Sequence, residues 1–211
     1  LQISSLAARE RNLSPYAASK RAGEDHVAAL AGERPWAILR PPAVYGPGDP
    51  ATLPLFRAAS LGYVPYPAAP GTRLSLIHVG DLSAAITHLV QSLMTGRAGT
   101  LSPIEIDDGH VGGYDWTQIL ETLSTVTGRR IHAVRLPRWL MVGVAYGNAA
   151  MSRLTGQVQV LMPPKVAELY HPDWVVRGIG LPAEIGWQPR FDLETGFRDT
   201  LAWYREHSFV T

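Results

Sequence analysis

At 211 residues the chain can bury a sizeable core, as one domain or one domain with a lobe, and 46% hydrophobic with 18% charged residues is the balance of a soluble globular protein. The absence of cysteine excludes disulfides, a thiol nucleophile and thiolate metal sites, and fits a reducing compartment, so a cytoplasmic location is expected. A formal net charge of +1, read as containing no basic cluster, gives no reason to expect nucleic acid or a membrane as partner, and no signal peptide or bilayer-length apolar run is visible.

In chain order, residues 1–5 read as the end of a buried strand. Ser14-Pro15 opens a helix over about 15–31, closed by Gly32 and Pro35. Residues 36–40 form a second strand, which runs into the Gly/Pro loop up to Pro50. A short helix, Leu53 to Leu61, ends at Gly62, and the proline-broken stretch 63–67 is unsuited to a central strand. Leu74 to Val79 alternates as one strand, and Asp81 is expected to cap a helix over about 82–94. Leu101–Ile106 is strand-like and ends at the turn Asp107-Asp108-Gly109. Asp115 with Gln118 forms a capping-box start for a helix that stops at Gly128. A strand over 130–136, an apolar helix over about 138–154 stopping at Gly156, a helix from Pro163 to Tyr170, a short strand at 174–176 and a final helix capped by Asp192 complete the chain. For the apolar helix, core packing is the expected role for most of its residues. Strands alternating with helices argue an α/β fold with a mostly parallel sheet.

The chemistry concentrates in the first fifty residues. Tyr16 and Lys20 sit four apart on one helix and so share a face. A nearby ammonium favours phenolate, which suits a tyrosine to giving and taking a proton. The pair by itself is common on surface helices. Here it lies between Leu1-Gln2-Ile3-Ser4-Ser5 and Arg40-Pro41-Pro42-Ala43-Val44-Tyr45-Gly46-Pro47-Gly48-Asp49. In that order the motifs resemble the extended short-chain dehydrogenase/reductase family, in its NAD-dependent epimerase/dehydratase group. Ile77-His78-Val79-Gly80-Asp81 and Ile185-Gly186-Trp187-Gln188-Pro189 extend the likeness along nearly the whole chain.

The resemblance implies a partial doubly wound parallel sheet of Rossmann type with a small C-terminal substrate lobe. Residues 1–110 would be the later part of the NAD(P)-binding domain, with lobe insertions from about 50, and 111–211 mainly the lobe. It implies Tyr16 as general acid/base, Lys20 as its electrostatic partner and a ligand of the nicotinamide ribose, and Ser5 as binder of the substrate oxygen. Ser4 is the neighbouring alternative, with backbone hydrogen bonding as its expected role. Pro41 and Val44 would lie against the nicotinamide of NAD or NADP. Arg40 reads as a structural ion-pair partner, and Asp107, Asp108 and His110 as a carboxylate-capped turn rather than a metal site. Nothing in the chain supplies the family's strand, glycine-rich turn and helix for the pyrophosphate, so the chain is expected to be N-terminally truncated by on the order of a hundred residues. It should by itself be inactive and hold NAD poorly.

The function expected of the complete polypeptide is NAD(P)-dependent hydride transfer at a carbinol or carbonyl carbon of a small molecule, in a homo-oligomer. A 3β-hydroxysteroid-dehydrogenase-like oxidoreductase and a non-catalytic relative are the alternatives. Nucleotide-sugar members place an arginine where this chain has Leu74, with Arg73 one position off on the opposite strand face.

Overall fold

A computed structural model describes residues 1–155, 161–178, 180, 181 and 183–210. In chain order these form β1 (Gln2–Ile3), a 3-10 turn (Leu6–Glu10), α1 (Pro15–Leu30), β2 (Ala37–Arg40), β3 (Ala43–Tyr45), α2 (Leu53–Ser60), β4 (Tyr63–Pro67), β5 (Arg73–Leu74) and β6 (Leu76–His78). There follow α3 (Val79–Met94), β7 (Leu101–Glu105), β8 (Tyr114–Asp115), α4 (Trp116–Thr127), β9 (His132–Leu136), α5 (Arg138–Thr155), α6 (Pro163–Leu169), β10 (Asp173–Trp174), a second 3-10 turn (Ala183–Ile185) and α7 (Leu193–Glu206). The stop expected at Gly156 lies outside the described residues.

The helix boundaries follow from caps. Ser14 is extended and its Oγ accepts from Ala17 N at 3.0 Å, with Pro15 in the first turn where no N–H is needed. Asp115 and Gln118 close a reciprocal capping box, and Gly128 ends α4 at φ 67, a conformation that costs glycine little. Asp192 and Thr195 do the same for α7. One expected cap is different. His78, not Asp81, begins α3: its Nδ1 accepts from Gly80 N at 3.2 Å. Asp81 is wholly buried in the first turn, and its Oδ2 accepts from the backbone N–H groups of Arg190 and Phe191, tying the C-terminal segment to α3.

The central sheet is parallel, ordered β1-β2-β7, with Ile3 opposite Leu39 and Leu39 opposite Ile104. β1 is an edge of this sheet, and Ile3 on it is exposed. After Pro41-Pro42 the chain enters β3, which pairs in parallel with β6. The strand expected over 74–79 is divided at Ser75. Its N donates to Trp174 O, and its Oγ donates to Asp107 Oδ2 at 2.6 Å while accepting from Val176 N. Leu74 and Leu76 consequently join different sheets, β10-β5-β8 and β3-β6. β4 and β9 form a two-stranded parallel pair, in which Pro65 and Pro67 are tolerated because every strand is an edge.

Two cores hold these layers. In one, Leu39, Ile77, Leu89 and Ile104 fill the space between the sheet and α3. In the other, Tyr45, Phe56, Phe197 and Tyr204 meet edge to face at centroid separations of 5.2–5.4 Å. Such pairs add about 1 kcal/mol each beyond area burial. α5 departs from expectation. Among the described side chains of this helix only Ala145 is fully buried, in a small cluster with Val166 and Tyr170 of the α6 segment, and Trp139, Leu140, Val144, Tyr146 and Met151 are exposed.

Candidate active site

Tyr16 and Lys20 lie on one face of α1, as their spacing requires, and Lys20 Nζ stands 5.7 Å from the centroid of the Tyr16 ring. Lys20 Nζ also donates to Ile3 O at 3.4 Å, which holds it against the end of β1. Tyr16 is 48% exposed, and among the described residues no group hydrogen-bonds its hydroxyl. Strand alternation separates the two serines. Ser4 is buried and donates to Glu24 Oε1 at 2.5 Å, so side-chain rather than only backbone bonding occupies it. Ser5 caps the 3-10 turn by accepting from Ala7 N at 3.2 Å, which leaves its O–H free to donate.

Ser5 and Tyr16 line one cavity of about 710 Å³. Much of its lining is apolar, with Leu74, Trp116, Met162, Leu169 and Trp174. Lys165 and Glu168 are the charged lining residues, and they neutralise each other at 3.0 Å. The other oxygen of Glu168 accepts from Ser14 Oγ at 2.5 Å, so the cap of α1 is fastened to α6 across the cavity. Glu168 carried no sequence signal, because its partner Ser14 lies far away in the chain.

Pro41 and Val44 are placed otherwise than Tyr16. The Pro41 carbonyl accepts from Leu6 N at 2.9 Å and Val44 leans on the sheet core, whereas their neighbours Pro42 and Ala43 line the cavity. Arg73 is held outside the cavity, donating to the carbonyls of Gly112 and Gly113 at 2.6 Å each, while Leu74 faces in. Asp107 and Asp108 accept from Gly109 N and His110 N, and their second oxygens take the Ser75 and Tyr114 hydroxyls, so both carboxylates serve the turn. Burial holds the Asp108 carboxyl above its ordinary range.

Beneath the site runs a buried charge network. Arg40 binds Glu24 through two bonds and Glu105 at 3.5 Å, and Glu105 also meets Arg9 at 3.4 Å. The hydrogen bond and charge of Glu24 hold the guanidinium above its usual range, overriding the cost of burial. α1, β2 and β7 are thereby bolted together under Ser4.

A parallel sheet crossed by a YxxxK helix, with a serine at the strand end and an apolar cavity beside the tyrosine, is the arrangement that the resemblance to the extended short-chain dehydrogenase/reductase family implies. Residues 3–102 match the model of the NAD dependent epimerase/dehydratase family. The ceramide reductase of Caulobacter vibrioides (strain NA1000 / CB15N) is 38% identical over 203 residues. The alignment covers 96% of this chain and 61% of that protein, so the chain spans less than two thirds of this relative. Two solved structures share the fold. The human epimerase family protein SDR39U1, solved with NADPH, aligns at TM-score 0.61 and 17% identity over 89% of this chain and 55% of its own. The dTDP-glucose 4,6-dehydratase of Bacillus anthracis str. Ames, solved with NAD, aligns at 0.58 and 16% over 98% of this chain and 61% of its own.

Proposed function

We infer that the complete polypeptide is an NAD(P)H-dependent reductase acting on the carbonyl of a long-chain, amphiphilic substrate. The observation that carries this reading is the cavity itself: Tyr16, whose hydroxyl no described residue bonds, and Ser5, whose O–H is left to donate, line it together with mostly apolar side chains, and there is no unpaired cation among the described lining residues. A nucleotide sugar would need cations for its diphosphate, and Arg73 is committed to loop carbonyls instead. The name of the 38% identical relative, a ceramide reductase, agrees with an apolar substrate.

The chemistry divides simply. The bound nicotinamide supplies the hydride that adds to the carbonyl carbon. Ser5 donates a hydrogen bond to the carbonyl oxygen and sets it against Tyr16. Tyr16 gives its proton to that oxygen as negative charge develops there, yielding the alcohol. Lys20 stabilises the resulting phenolate. Lys20 Nζ has N–H bonds to spare beyond its contact with Ile3 O, which fits a ribose hydroxyl beside Tyr16. We read the pyrophosphate site as lying outside these residues, since among the described residues no glycine-rich turn follows a strand and opens a helix.

Consumption of NADPH or NADH by the complete polypeptide, with a long-chain 3-keto amide on one side and UDP- and dTDP-hexoses on the other, tests the assignment. Turnover of the keto amide alone is the expected result. Turnover of a nucleotide sugar alone would reject the substrate class, and loss of neither activity in Tyr16→Phe would reject the site.

A further inference from the structure

Charge along the chain is uneven in a way that the total conceals. Between Glu121 and Glu168 there are six basic side chains, Arg129, Arg130, Arg135, Arg138, Arg153 and Lys165, and no acidic one, although the whole chain carries only +1. This segment contains α5, whose interior from Trp139 to Ser152 has no charged residue. The helix rests on α6 through Met141, Val142 and Ala145. Its other sides turn outward, with Trp139 74%, Tyr146 64% and Met151 53% exposed, and Leu140 and Val144 beside them. At 100° per residue, Leu140, Val144 and Met151 share one strip and Trp139 and Tyr146 another roughly 130° away, with the exposed Gly143, Gly147 and Ala150 between them. In the chain Arg135 and Arg138 come just before this surface and Arg153 just after it, all three exposed, and they take part in no ion pair among the described residues.

A continuous exposed apolar face marks a partner surface. Indole and phenol rings among aliphatic side chains, with arginines at the two ends of the helix, match the boundary between lipid headgroups and acyl chains, with guanidinium groups against lipid phosphates. No described helix is long and apolar enough to cross a membrane, so α5 would lie in the surface rather than span it. A second copy of the chain fits less well. A two-fold contact would set this patch on itself, bringing the arginines together with no carboxylate of the segment to separate them. We propose that α5 is an interfacial helix that docks this protein on an anionic lipid surface. The expectation of no membrane partner rested on a total charge of +1 with no basic cluster and on the lack of a bilayer-length apolar run; the total averages this segment against acidic ones elsewhere.

The position of α5 gives the docking a use. α6 buries Val166 against α5 and lines the cavity with Lys165, Glu168 and Leu169. The lipid-facing helix and the cavity are thus one helix apart, which suits an amphiphile taken from a bilayer. This last step rests on the reductase reading, whereas the docking stands on α5.

Co-sedimentation of the full chain with vesicles of phosphatidylcholine, alone or mixed with phosphatidylglycerol, tests it. The expected result is binding to the mixed vesicles only. Trp139→Ser/Val144→Ser and Arg135→Glu/Arg138→Glu should each weaken that binding by about tenfold or more with unchanged melting, because these side chains are outside the cores. No binding to either vesicle, or equal binding to both, overturns the proposal. So does a wild-type oligomer that Trp139→Ser/Val144→Ser dissociates, which would make a second copy the occupant. Reduction of a water-soluble short-chain ketone by the complete polypeptide should be the same in these variants, so docking and catalysis fail separately.

Discussion

The guanidinium of Arg40 meets the carboxylate of Glu24 edge to edge, at 2.8 and 2.6 Å, with both groups buried beneath Ser4 and Ser5. Removing one member strands a buried charge, whereas removing both need not. Arg40→Met should cost about 3–5 kcal/mol in chemical denaturation, and Glu24→Gln a comparable amount. The double variant Glu24→Leu/Arg40→Met should recover part of that loss, although Glu105 then lacks one partner. Equal and additive losses in the double variant would show that the pair is not coupled.

The catalytic reading makes a sharp separation between activity and stability. Tyr16→Phe in the complete polypeptide should lower kcat by about 10²-fold or more, and Ser5→Ala by a similar factor. Neither should move the melting temperature much, since Tyr16 is exposed and Ser5 only half-buried. A Tyr16→Phe enzyme with wild-type kcat would remove Tyr16 from the chemistry.

Gly196 is a packing requirement. A Cβ at this position in α7 would lie 2.1 Å from the Tyr45 hydroxyl and 2.9 Å from the ring carbon bearing it. Tyr45 cannot yield, because it is buried among His78, Phe197 and the backbone of Asp192. Helix propensity alone would favour alanine by about 1 kcal/mol, and overpacking opposes it by about 1–3 kcal/mol or more. Gly196→Ala should therefore be destabilising in a urea titration. A neutral or stabilising result would mean that α7 shifts freely against the sheet.

His78 sets a pH dependence. Burial pushes this imidazole below its ordinary range, against the opposing pull of Asp199, whose Oδ2 lies 3.2 Å from Nε2. The folded state therefore binds fewer protons at this position than the unfolded chain. Its contribution to stability is present above the unfolded value of about 6.5 and is lost as pH falls below it. Thermal melts taken from about pH 7 to about pH 5 should show falling stability in the wild type and a flatter course in His78→Gln. Asp108, raised by burial, acts with the opposite sign as pH drops further, so the measurement belongs above the carboxylate range. An unchanged slope in His78→Gln would place the pH dependence elsewhere.

Much of this protein was legible in the order of its residues because the causes are local. Ser14, Asp115 and Asp192 cap the helices that follow them, and Tyr16 meets Lys20 through a single turn of helix. Alternation along a strand separates Ser4 from Ser5 without help from the rest of the fold. What tertiary structure decided are the matters settled by partners distant in the chain. Asp81 reads as a cap until Arg190 and Phe191 arrive to bind it, and Ser75 divides a strand because Trp174 and Val176 approach on one side and Asp107 on another. Arg40 needs Glu105, and Ser14 needs Glu168, neither of which any local pattern links to it. α5 shows the limit most plainly. Its apolar residues establish that the helix favours apolar surroundings, but only the placement of α6 against one narrow side shows that most of that surface is left uncovered by the described residues.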